Sequence, residues 1–136
     1  MIVLDASVAA KWYLVEAGTD QAEALIESGN ELCAPAVIRL EVLSAISRRF
    51  RMGGLSAGDA EATMAEWLED LDSSVMTLSP DDLDLDRAIQ LSLRIRHPVV
   101  DCLYLACAMR LGADLVTTDE NMYHRAQGAY ARIRTP

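Results

Sequence analysis

The sequence is poor in the features that would place a chain in a membrane, in an oxidising compartment or around a soft metal. No apolar run approaches the roughly 20 residues needed to cross a bilayer, so no membrane span is expected. The chain opens on "MIVLD", without a basic segment or a small-residue cleavage site, so no secretory leader is expected either. Three cysteines are present: Cys33 stands alone, and Cys102 and Cys107 lie five apart without a CxxC spacing. That pattern excludes a disulfide scaffold, argues against a structural zinc site and suits the reducing cytoplasm. Repeats, low-complexity tracts and linker-like shifts in composition are lacking as well. The 136 residues are therefore read as one domain, 1–136. A chain of that length buries roughly two-thirds of its unfolded surface.

Positive charge is also scarce, and unevenly so. The net charge is -9, an awkward value for a protein that binds nucleic acid. Most of the excess lies in residues 59 to 86, where ten acids (Asp59, Glu61, Glu66, Glu69, Asp70, Asp72, Asp81, Asp82, Asp84 and Asp86) occur without one base. The rest of the chain carries eleven acids, 21 less those ten, against all 12 Lys and Arg, and is close to balanced. The block reads first as a solvated, solubilising face and second as a surface for a basic partner.

What the sequence does contain is alternation of short apolar runs with helical stretches. "IVLD" at 2–5, "ELCAP", "SVMTL" at 74–78 and "ADLVTT" read as buried strands, with "YARIR" as a fifth candidate. Between them lie the helical stretches "SVAAKWYLVE", "TDQAEALIESGN" with a Thr or Asp cap, "AVIRLEVLSAISRRFRM", "SAGDAEATMAEWLEDL" capped by Ser56, and "DDLDLDRAIQLSLRIRH". A last long helix follows Pro98 and stops at Gly112. Short strands separated by helices predict an α/β fold, a parallel sheet covered on both faces. Ligands of such sheets bind beyond the carboxyl ends of the strands.

Four acids stand out against that frame. Asp5 closes the first strand and Asp119 the fourth, and each is also a natural helix cap. Glu41 lies inside "AVIRLEVLSAIS" with Val37, Ile38, Ser44 and Ala45 at helical neighbour positions, none of them a base. Asp101 lies in "HPVVDCLYLACAMR", where its bland role is a first-turn acid favoured by the helix dipole. Four carboxylates converging at one sheet edge repel one another and raise their own pKa values. A hard divalent cation cancels that repulsion, and oxygen-rich sites of this kind select Mg²⁺ or Mn²⁺.

The segments "MIVLDASVAAKWYL", "RLEVLSAI", "HPVVDCLYLACA" and "DLVTTDENM", in that order over nearly the whole chain, resemble the PIN-domain family. Within it, the likeness is to the small VapC-type toxins of toxin–antitoxin modules. The resemblance implies a three-layer α/β/α sandwich with a short central parallel sheet of four to five strands. It also implies an acidic quartet of Asp5, Glu41, Asp101 and Asp119, with supporting hydroxyls at Ser7 and Thr118. Asn121 stands where some relatives carry a further acid, which argues against a fifth carboxylate ligand. The implied activity is that of a cytoplasmic, Mg²⁺- or Mn²⁺-dependent endoribonuclease, held inactive by a cognate antitoxin and forming a homodimer.

The chemistry suits such residues. Phosphodiester hydrolysis needs an activated water and relief of charge on the phosphate, which one or two divalent ions provide. Asp5 and Asp101 are assigned as direct ligands, Asp119 as a ligand or an acid holding a ligand in place, and Glu41 as holder of a water or as base. Ser7 and Thr118 would orient them. No histidine is required, and His97 and His124 read as surface residues. Arg48, Arg49 and Arg51, with Lys11 and Arg125, are candidate phosphate contacts. Trp12, Tyr13 and Leu14, and Met64, Trp67 and Leu68, form apolar stripes that read as core by default, or as a groove for an antitoxin helix under the resemblance. A haloacid-dehalogenase-like phosphatase would want a second aspartate where Ser7 stands, and a receiver domain an acidic pair where "DAS" supplies one acid. The non-enzymatic alternative is a PIN-like RNA- or protein-binding module, which the presence of all four acids disfavours.

Overall fold

A computed structural model describes residues 1–136. Five strands, β1 (Ile2–Leu4), β2 (Leu32–Pro35), β3 (Thr77–Ser79), β4 (Asp114–Val116) and β5 (Ile133–Arg134), form one sheet in the order β3-β2-β1-β4-β5. Every neighbouring pair is parallel. Seven α-helices flank it: α1 (Ala6–Ala9), α2 (Thr19–Glu27), α3 (Ile38–Arg51), α4 (Ala57–Asp72), α5 (Leu85–Ile95), α6 (Val99–Leu111) and α7 (Glu120–Ala126). The expected three-layer α/β/α arrangement is the one observed.

The central strands β1 and β2 are buried on both faces and carry no polar alternation. Ile2, Val3 and Leu4 are all buried, and so are all four residues of β2. Successive strand side chains point to opposite faces, so a continuous apolar run means that both faces are covered. The helix α6 supplies much of that cover. All residues from Cys102 to Ala108 are buried, and α6 packs on β1, β2 and β4. Trp67 is completely buried and donates Nε1–H to the Arg39 carbonyl at 3.1 Å, while Tyr13 meets its ring edge-on with centroids 5.5 Å apart. Of the two apolar stripes, Leu14 and Trp67 are core, Trp12, Tyr13 and Met64 pack half-buried against it, and Leu68 is exposed.

Three boundaries differ from expectation, each for a local reason. β3 starts at Thr77 rather than at residue 74, because Ser73 and Ser74 end α4. Ser74 takes φ 62°, and the Val75 amide bonds back to the Asp70 carbonyl, which consumes the start of the expected strand. The stretch after Asp5 is a single α-turn, α1, that tightens into a 3₁₀ helix at Ala10–Trp12. α2 is preceded by Gly18 at φ 89°, not by a Thr or Asp cap; the Thr19 hydroxyl instead donates to the Glu16 carbonyl at 2.9 Å.

Topology now locates the site. The chain leaves β1 toward β2 on one side, and β4 joins β1 on the other. The carboxyl edge between β1 and β4 is therefore the switch point where a parallel sheet opens a crevice.

Candidate active site

Asp5 follows β1 directly into that crevice and is 8% exposed. Its Oδ1 accepts the Val8 amide at 3.2 Å, as an N-cap does, and also the Ser7 hydroxyl. Its Oδ2 accepts the hydroxyl of Thr117. The partner just beyond β4 is thus Thr117 and not Thr118. The parallel register explains why: Leu4 stands opposite Val116, so the next residues along, Asp5 and Thr117, face each other across the switch point. Thr118 contributes its backbone N–H, which donates to Ser7 Oγ at 3.0 Å.

Asp119 caps α7, its Oδ1 accepting the amides of Asn121 at 2.9 Å and Met122 at 3.1 Å. Asn121 serves through that amide. Glu41, in the first turn of α3, receives the Tyr104 hydroxyl at 2.6 Å on Oε1. Asp101 lies in the first turn of α6, and its Oδ2 meets His97 Nε2 at 2.8 Å. His97 is therefore not the surface residue expected. It is 8% exposed, folded inward by the turn at Arg96 between α5 and α6, where φ is 55°. His124 is exposed.

Asp5, Glu41, Asp101 and Asp119 line one pocket of about 160 Å³ together with Ala6, Ser7 and Tyr104. None of the four pairs with a lysine or an arginine; His97 is the sole basic partner. The consequences are electrostatic. Burial pushes the Asp5 carboxyl up to about 6 against its hydrogen bonds from Ser7, Thr117 and Val8, and the neighbouring Asp101 adds to the rise. Burial raises Glu41 too, opposed by the Tyr104 hydrogen bond and assisted by Asp101. Asp101 is raised by burial, lowered by His97 and raised again by Asp119. A second, larger groove of about 600 Å³ shares Ala6, Ser7 and Glu41 with the acid pocket. It is lined by Lys11, Arg48, Arg49 and Arg51 as well as Glu16 and Thr118. Arg125 is turned elsewhere, donating to the carbonyls of Ile95 and Arg96.

Such a site is negative at its floor and positive along its approach. The donor set, four carboxylates with no lysine or arginine beside them, fits a hard divalent ion better than any neutral ligand.

Comparison with known proteins agrees. The family model described as PIN domain matches residues 2–128. Ribonuclease VapC3 of Pyrobaculum aerophilum is 29% identical over 121 residues, covering 89% of this chain and 91% of that protein. Among solved structures, PAE2754 from Pyrobaculum aerophilum superposes with a TM-score of 0.71 at 19% identity, over 97% of this chain and 81% of that one. VapC20 of Mycobacterium tuberculosis, a Sarcin-Ricin loop cleaving toxin, superposes with a TM-score of 0.71 at 20% identity, over 91% of this chain and 94% of that one. With sheet order, switch-point crevice and acidic pocket in place, the chain belongs to the PIN domain family.

Proposed function

We propose that this protein is a divalent-metal-dependent endoribonuclease of the VapC type, the toxin of a toxin–antitoxin pair. The observation that carries the reading is the pocket itself: four carboxylates without a lysine or arginine partner, opening onto a groove lined by four basic side chains. The likeness to Ribonuclease VapC3 across nearly the whole of both chains supports it.

Asp5, Asp101 and Asp119 would hold the ion, Mg²⁺ or Mn²⁺, with Glu41 beside them. When bound, such an ion offsets charge on the phosphate and increases the acidity of a water. The chain's own residues do the positioning. Ser7 and Thr117 donate to the two oxygens of Asp5 and hold that carboxylate in one orientation. Tyr104 fixes one oxygen of Glu41 at 2.6 Å, which leaves the other to accept a proton from an attacking water. Arg48 and Arg51 on the groove wall draw the RNA backbone toward the acids. In-line attack by water leaves a 5′-phosphate and a 3′-hydroxyl.

The purified free protein should cut single-stranded or looped RNA with Mg²⁺ or Mn²⁺, and EDTA or Asp5→Asn should reduce cutting by about a thousandfold or more. An Asp5→Asn variant that cuts as fast as wild type removes the enzyme reading and leaves an RNA- or protein-binding module. The proposal extends to a cognate antitoxin, whose basic segment would meet the exposed acids of residues 59 to 86, the buried Asp84 excepted, and to a homodimer. A small basic protein encoded immediately upstream would support the pairing; an unrelated neighbour would count against it.

A further inference from the structure

The acid pocket has a donor beside it that carboxylates alone do not supply. His97 is held from several sides. Its amide donates to the Ser92 carbonyl at 3.2 Å, and its own carbonyl accepts the Ser92 hydroxyl at 2.6 Å and the Cys102 thiol. Its side chain is only 6% exposed, and Nε2 is aimed at Asp101 Oδ2, 2.8 Å away. A ligand atom from each of His97, Asp101 and Asp119 lies within 4.8 Å of the other two. Around an octahedral ion with bonds of about 2.1 Å, adjacent ligand atoms are about 3 Å apart and opposite ones about 4.2 Å. The 2.8 Å contact between nitrogen and oxygen thus has the spacing of two adjacent ligands.

We propose that His97 Nε2 is a metal ligand, which with Asp101 and Asp119 makes a mixed nitrogen–oxygen donor set, and that this set takes a first-row transition ion such as Mn²⁺ in preference to Mg²⁺. The inference rests on the reading of the pocket as a metal site and goes further in naming the donor and the class of ion. An imidazole nitrogen is a softer donor than a carboxylate, and Mg²⁺, which holds its waters tightly, gains little from it. Only a small rotation of the ring about its own bonds would turn Nε2 from Asp101 to a shared ion. The turn at Arg96 and the Ser92 hydrogen bonds already place it, and an ion would replace the present hydrogen bond to Asp101.

The test is pulsed electron paramagnetic resonance on the full-length protein loaded with Mn²⁺, without RNA. Wild type should show nuclear coupling from one directly bound ¹⁴N, and protein labelled with ¹⁵N-histidine should show the ¹⁵N pattern instead. His97→Gln should lose the coupling and bind Mn²⁺ about tenfold or more weakly while Mg²⁺ binding changes less. His124→Gln should retain both. The wild-type labelling result stands even if His97→Gln fails to fold. Bound Mn²⁺ that is lost in Asp101→Asn but shows no nitrogen coupling in wild type overturns this inference and leaves the carboxylate site intact. Coupling that follows His124 overturns it as well. Absence of Mn²⁺ and Mg²⁺ binding at millimolar concentration removes the metal reading along with it.

Discussion

Two aspartates at strand-to-helix turns of this molecule share nearly the same burial and have opposite surroundings. Asp84, at the start of α5, is 2% exposed, and Arg110 grips both of its oxygens, at 2.7 and 3.0 Å. The same guanidinium reaches Ser79 at the end of β3 at 2.6 Å, so the pair ties α6, α5 and the sheet edge together. Asp5, at the start of α1, is held by two hydroxyls and an amide, all neutral, with Asp101 near enough to raise its pKa. A buried charge with a cation beside it is complete and belongs to the fold. One with only neutral donors and acidic neighbours has no countercharge within the chain, and its carboxyl is pushed toward the protonated form.

The largest expected effect breaks the complete pair. Arg110→Met leaves Asp84 buried and unpartnered, which should cost roughly 3 kcal/mol of stability, the low end for a broken buried pair because Arg110 is itself a third exposed. Denaturant unfolding would measure it, and the folded fraction should still cleave RNA. A variant as stable as wild type would mean that charge is not what holds Asp84, and the contrast with Asp5 would lose its meaning.

The incomplete partner should show itself through pH. Asp5 titrates near 3.8 when unfolded and about 6 when folded. Between those values the native state holds a proton that the unfolded chain has released. Stability of the metal-free protein should therefore fall as pH climbs from about 4 to about 6, by on the order of 3 kcal/mol in total from this group. The raised carboxyls of Glu41 and Asp101 act with the same sign. Unfolding of wild type and Asp5→Asn in EDTA at the two ends of that range isolates the contribution: the variant should gain on wild type as pH rises. Parallel pH slopes would show that Asp5 is not the strained charge.

The contrast between the two aspartates also marks how far the residues alone could be followed. Strands that are buried on both faces announce themselves as apolar runs, and an acid at the end of such a run, or inside an apolar helix face, is visible without coordinates. Asp5, Glu41, Asp101 and Asp119 all have that signature, and the sheet follows from the alternation of strands and helices. The groups that hold them do not. Tyr104 reaches Glu41 across 63 positions, and Arg110 reaches Asp84 across 26. Thr117 rather than Thr118 serves Asp5 because of a strand register that no local pattern encodes. His97 stood four residues before Asp101, a spacing that invites a helical pair, but it lies outside α6. Its burial depends on a left-handed turn at Arg96, a residue type that gives no hint of one.

The smallest expected effect carries the same distinction to the groove. Lys11 and Arg49 both contact Glu16, each at 3.1 Å, while Arg48 and Arg51 make no ion pair. An unpaired base contributes its full counterion release when a phosphate binds, whereas a base already shared with a carboxylate contributes less. With EDTA present to suppress the proposed cleavage, Arg48→Ala should make the dependence of log RNA affinity on log salt shallower by about 0.7 for the phosphate contact removed. Glu16→Gln should act in the opposite direction, freeing two cations and steepening the slope. Titrations of a short single-stranded RNA at several KCl concentrations, read by fluorescence anisotropy, give both slopes. An unchanged slope in Arg48→Ala would route the RNA backbone away from this groove, and the acid pocket would then have to be approached from the side of α7.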